Sequence, residues 1–154
     1  MNRVRIQSYV RIGAEFQPIQ DIKRYDGDSM YVPGAVSLVV DEVELMGIEL
    51  WDDINWLWPF IVQAVDDYRK TGTGKRGFPD QPISFKVEAA WPGHALVSVV
   101  SDSFEHKAVV PEDELYSAVA YAGLTFFTEL HRICSEYEGD DAEVGVLRSW
   151  LDDT

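Results

Sequence analysis

The chain has 154 residues, 27 acidic side chains against 13 basic ones and a formal net charge of -14, while 46% of it is hydrophobic and 12% aromatic. That apolar content excludes an acidic disordered tail, because it can offset chain entropy with a buried core, and the charge excludes nucleic acid as a partner, since both would be polyanions. The length fits one domain, residues 1–154, and the single cysteine, Cys134, allows neither an intramolecular disulfide nor a cysteine-rich zinc site, which points to a reducing, cytoplasmic home.

Val4, Ile6, Val10 and Ile12 alternate with Arg3, Arg5, Gln7, Tyr9 and Arg11, the period-two pattern of a half-buried strand with a basic outer face. No apolar signal core opens the chain and no run approaches membrane-spanning length, so neither export nor insertion is expected. Asp26-Gly27-Asp28 and Ser29 to Gly34 read as turns, and Ala35 to Met46 as one long or two short valine-rich strands. From Trp51 the period changes: Trp51, Ile54, Leu57, Trp58, Ile61, Val62, Val65 and Tyr68 share one side of a helix ending near Lys70, with Asp52 or Asp53 as its cap. Pro59 predicts a bend, or a regular part that begins shortly before it.

Thr71 to Pro82 reads as a glycine- and proline-rich cationic loop. Ile83 to Ala89, Ala95 to Val100 and Phe104 to Val110 then form an antiparallel meander, with Trp91-Pro92-Gly93-His94 as its first turn. Pro111 to Glu114 opens a long helix on Leu115, Val119, Ala122, Phe126, Leu130, Ile133 and Tyr137. Its second apolar flank, Leu124, Phe127, His131 and Cys134, is expected to lie under a short C-terminal helix carrying Val144, Leu147, Trp150 and Leu151. Runs of strands interrupted by helices predict an α+β two-layer sandwich, a mainly antiparallel sheet packed against two main helices plus the short one.

No signal for chemistry survives inspection. Gly72-Thr73-Gly74-Lys75-Arg76 follows a helix and places Arg where a phosphate-binding loop needs Ser or Thr. His94, His106 and His131 lie on three different elements without a nucleophile elbow, and His131 with Cys134 supplies two of the four ligands a structural zinc requires. Asp26-x-Asp28 lacks the later ligands of a calcium loop, and the paired acids Asp52/Asp53, Asp66/Asp67 and Glu112 to Glu114 read as solvated or capping groups. No catalytic residue, metal or cofactor is therefore assigned.

The polar side of the first helix should instead carry Asp52, Trp56, Phe60, Gln63 and Asp67, with Asp66 beside them: large aromatics among acids, the composition of a protein-binding hot spot. A second acidic stretch, Glu136, Glu138, Asp140, Asp141 and Glu143, lies in the C-terminal half, where four bases face fifteen acids from Phe78 onward. Such a run is either a solvated face or part of the docking surface.

Ile48-Glu49-Leu50-Trp51 with Asn55-Trp56 entering a helix, the Pro82 to Val100 hairpin, and Val110-Pro111-Glu112 opening a long helix resemble the small acidic immunity proteins of bacterial polymorphic toxin systems. The likeness covers most of the length without a signature motif and transfers no residue roles. It implies a non-enzymatic cytosolic inhibitor that binds one cognate, basic toxin. Two other readings stand beside it: an enzyme or small-molecule binder using a pocket between sheet and helices, and a homodimer or larger structural assembly that buries the Trp56/Phe60 patch against itself.

Overall fold

The computed structural model describes residues 3–139 and 141–152. In the first strand, β1 (Val4–Ile12), every second residue turns inward, and the polar Ser8 sits among these apolar positions because its Oγ accepts the indole N–H of Trp58 at 2.8 Å. A two-residue turn with Gly13 at φ +65° leads into β2 (Glu15–Pro18), the twist-matched geometry of a tight hairpin. The valine-rich stretch resolves into two strands, β3 (Pro33–Val40) and β4 (Val43–Met46), joined by Asp41 and Glu42 at φ +48° and +71°. That left-handed pair is unfavourable for side chains with a Cβ, and two bases of β1 hold it: Arg3 grips the Asp41 carboxylate at 2.9 and 2.6 Å, and Arg5 reaches Glu42 at 3.3 Å.

The first sheet runs β2-β1-β3-β4, with the two-residue β5 (Asp52–Asp53) pairing to the start of β3. Gly34 is required at that junction, because a Cβ there would lie 2.4 Å from the Tyr9 carbonyl oxygen. Helix α1 (Ile54–Thr71) follows at once and is buried along most of its circumference. It is continuous through Pro59, whose missing N–H leaves one backbone hydrogen bond unmade. Neither Asp52 nor Asp53 caps it: Asp53 holds the cap position without a side-chain hydrogen bond, and Asp52 lies in β5, turned elsewhere.

Part of the cationic stretch after Gly72 is strand rather than loop. β6 (Thr73–Gly77) forms the edge of a second antiparallel sheet, β6-β7-β8-β9, with β7 (Ser84–Trp91), β8 (His94–Val100) and β9 (Glu105–Pro111). Its only buried residue is Gly74, over which α1 passes so closely that a Cβ would stand 1.8 Å from the Ala64 carbonyl oxygen. A strand that lies on a helix backbone can present no apolar side chain there, and hydrophobic alternation is therefore absent.

Helix α2 (Glu112–Ile133) packs on β1 and β9, α1 touches strands of both sheets, and α3 (Asp141–Asp152) lies on both helices. The α+β class predicted by the sequence holds, with its strands divided between two sheets that meet where the Leu45 carbonyl of β4 hydrogen-bonds His106 of β9 at 3.1 Å. Trp58 stacks on Phe126 at the centre, and Gly123 admits Leu147 of α3 against it. Among the described residues, no helix is long and apolar enough to cross a membrane.

Candidate functional site

At the N-terminus of α1, Asn55 and Trp56 fasten the loop that precedes β3. The buried Asn55 accepts the Val32 amide with Oδ1 at 2.9 Å and donates to the Met30 carbonyl with Nδ2 at 3.0 Å. The same carbonyl receives the Trp56 indole N–H at 2.8 Å, and the Ile54 amide bonds the Val32 carbonyl at 2.8 Å. Asp28 accepts the Met30 amide, and the Tyr25 hydroxyl lies against the Asp28 and Tyr31 carbonyls. With the loop backbone committed inward, its side chains project outward: Met30 is 54% exposed, Tyr31 59% and Trp56 39%.

Acids share the loop and the turn before the helix, and one of them, Asp26, is paired with the Arg24 guanidinium. Asp26 and Asp28 are exposed on the loop, Asp53 is half-buried one turn before Trp56, and burial together with the fields of Cys134, Asp28 and Asp53 holds the Tyr25 hydroxyl above its ordinary pKa. Behind them stands a cluster that no local pattern announced. Asp52 is only 3% exposed, and its carboxylate accepts the amides of Asp53 at 2.7 Å, Asp80 at 3.0 Å and Gln81 at 2.9 Å, which clasps the segment before β7 to the start of α1. Asp53 and Asp80 join it, with one oxygen from each of the three carboxylates within 4.8 Å of the others. Burial, then a hydrogen bond to Asp80 and the charges of Asp80 and Asp52, pushes the Asp53 carboxyl up to about 6. Three hard oxygens at this spacing are the donor type for magnesium or calcium, but the Asp52 oxygens are already engaged by amides.

The helix stripe expected to bind a partner is thus rearranged. Asp52 belongs to the interior and leaves the set, because its carboxylate serves three backbone amides. Trp56 is exposed and Phe60, one turn on, half-buried. Gln63 and Asp67 are tied down by Arg76 of β6 at 3.2 and 2.9 Å, and Asp66 pairs with Lys70 at 2.8 Å. Glu136 and Glu138 are exposed beyond α2, Glu143 is half-buried on α3, and Asp140 and the Asp141 side chain lie outside the described residues. Met30 and Tyr31 escaped sequence reasoning because a turn-rich segment gives no amphipathic signal; Met-Tyr flanked by Asp28 and Pro33 was the one available hint.

The remaining candidates are scattered. His94 bonds the Pro92 carbonyl and lies against Trp91, His106 stacks on Phe104, and His131 lies against Tyr137. Trp51, which its helical spacing assigns to the core, is exposed instead, flanked by Phe16 and by the Arg11 guanidinium 4.9 Å from its ring. Among the described residues, one groove of about 570 Å³ lies between β1 and α2 and another of about 430 Å³ between residues 23–27 and the end of α2. Comparison with family models, curated proteins and solved structures found no match.

Proposed function

We propose that the chain is a non-enzymatic protein-binding module, an inhibitor of the immunity type, which docks a basic partner protein on the surface formed by Met30, Tyr31 and Trp56. The observation that carries this reading is the fixed exposure of Trp56. Its indole N–H is held by the Met30 carbonyl at 2.8 Å while two further large apolar side chains stand exposed on the segment it grips. Aromatic anchors immobilised before binding lose little entropy when a partner covers them. The rim of Asp26, Asp28 and Asp53, within a chain of net charge -14, selects a cationic partner and steers its approach.

Co-purification of the tagged chain from its native cells, with a parallel Trp56→Ala sample, tests this. Recovery of one basic protein at one-to-one stoichiometry, lost on substitution, supports the reading. Recovery of the chain alone refutes it.

A further inference from the structure

The second sheet ends at β6, and the register shows which of its backbone groups face away from the sheet. The Phe78 amide bonds the Ile83 carbonyl at 2.8 Å, and upstream of it Arg76 lies opposite Phe85 and Gly74 opposite Val87. Backbone groups alternate sides along a strand. Gly74 and Arg76 therefore spend theirs on β7, while the N–H and C=O of Thr73, Lys75 and Gly77 point outward. All three residues are exposed, and among the described residues no strand lies on that side.

An edge of this kind is a template for another strand. Here its central carbonyl, that of Lys75, is taken from within the chain: the Arg76 guanidinium curls back and donates to it through Nη1 at 2.8 Å. Helix α1 fixes the guanidinium there, since its Nε donates to Gln63 Oε1 at 3.2 Å and its Nη2 pairs with Asp67 at 2.9 Å. The Thr71 hydroxyl at the end of α1 lies 3.0 Å from the Thr73 carbonyl and 2.8 Å from that of Asp67, dividing one proton between them. Side chains of β6 itself offer little cover, because Gly74 lies against the α1 backbone and Gly77 adds no bulk.

We propose that Arg76 blocks this edge, filling the acceptor that β6 would otherwise present to β6 of a second copy of this chain, and so prevents self-pairing. The inference stands apart from the protein-binding reading, since Met30, Tyr31 and Trp56 take no part in it. A second copy is the occupant because the outward groups are self-complementary. In an antiparallel pair centred on Lys75, Thr73 of each copy faces Gly77 of the other, and Lys75 faces itself. That register also sets two lysines opposite each other on the solvent side, where like charges repel and reinforce the block.

Sedimentation equilibrium and NMR amide exchange on the full chain test this, in about 0.5 M salt to screen the net charge and the facing lysines. The parent should remain monomeric to about 1 mM, with the Thr73, Lys75 and Gly77 amides exchanging at least about tenfold faster than those of Gly74 and Arg76. Arg76→Met keeps the side chain's apolar stem and removes its donors. It should dimerise over the same concentration range, and the Thr73, Lys75 and Gly77 amides should slow about tenfold as it does. Arg76→Ala should behave alike and replaces it if the first variant fails to fold. Lys70→Ala makes the same change in charge away from β6 and should stay monomeric. A parent that dimerises, a folded Arg76 variant that stays monomeric, a dimer whose three outward amides still exchange freely, or equal dimerisation of Lys70→Ala each overturns the proposal.

Discussion

Trp56 and Asp53 are neighbours that report on different properties. Trp56→Ala removes an exposed anchor and one hydrogen bond to a loop carbonyl, so it should weaken partner binding by about 2 kcal/mol, roughly 30-fold in Kd, while unfolding free energy falls by about 1 kcal/mol or less. Isothermal titration and urea unfolding of the same samples separate the two effects. Asp53 has a folded-state pKa of about 6, above the ordinary 3.8. Its contribution to stability is therefore complete below about pH 4 and vanishes as pH rises through 6. Asp53→Asn keeps a donor for Asp80 without the titration. Urea unfolding should find it about 1 kcal/mol more stable than the parent at pH 7.5, with solvent screening taken into account, and nearly equal at pH 4. Parallel pH profiles would contradict the raised pKa of Asp53. At this scale the sequence was partly legible. An aromatic-acidic surface was visible in the spacing of Trp56, but the role of Asp52 was not, since its amide partners at Asp80 and Gln81 are distant in sequence and a carboxylate before a helix looks like a cap.

The elements read correctly are those whose apolar side chains recur with a strand or helix period. Alternation revealed β1, β7, β8 and β9, and three-and-four spacing revealed α1 and α2. Its absence concealed β6, where Thr-Gly-Lys-Arg-Gly pairs with β7 and lies on the backbone of α1. The same close approach predicts that Gly74→Ala is severe, because the added carbon meets a carbonyl that cannot move without opening α1. A loss of about 3 kcal/mol or more is expected from urea denaturation, beyond the usual range for a surface strand. A loss under 1 kcal/mol would mean that β6 does not sit where the fold places it. Whether Ala35 to Met46 is one strand or two stayed open for a related reason: Asp41 and Glu42 form a left-handed turn without glycine, and the arginines that hold it are on β1.

Across the whole molecule, the charge of -14 makes association a salt-dependent event. Asp26→Lys with Asp28→Lys should lower the association rate about tenfold at low ionic strength, and the difference should shrink as salt approaches 0.5 M, with dissociation little altered. Stopped-flow or surface-based kinetics across a salt series measures both rates, and a salt-independent defect would argue against steering. Asp66 and Asp67 are tied to Lys70 and Arg76, as Asp26 is to Arg24 and Asp28 to the Met30 amide, so each reversal is compared at matched melting temperature. The α+β class was legible from the order of strand and helix patterns. Division into two sheets was not, because which strands pair depends on contacts such as Leu45 with His106 that no local pattern encodes.

The most direct test is the paired capture from native cells, wild type beside Trp56→Ala at matched melting temperature, eluted with rising salt. The binding-module account predicts one basic protein at one-to-one stoichiometry on the wild type, released by salt and missing from the variant. Equal recovery on both, or nothing on either, would contradict it.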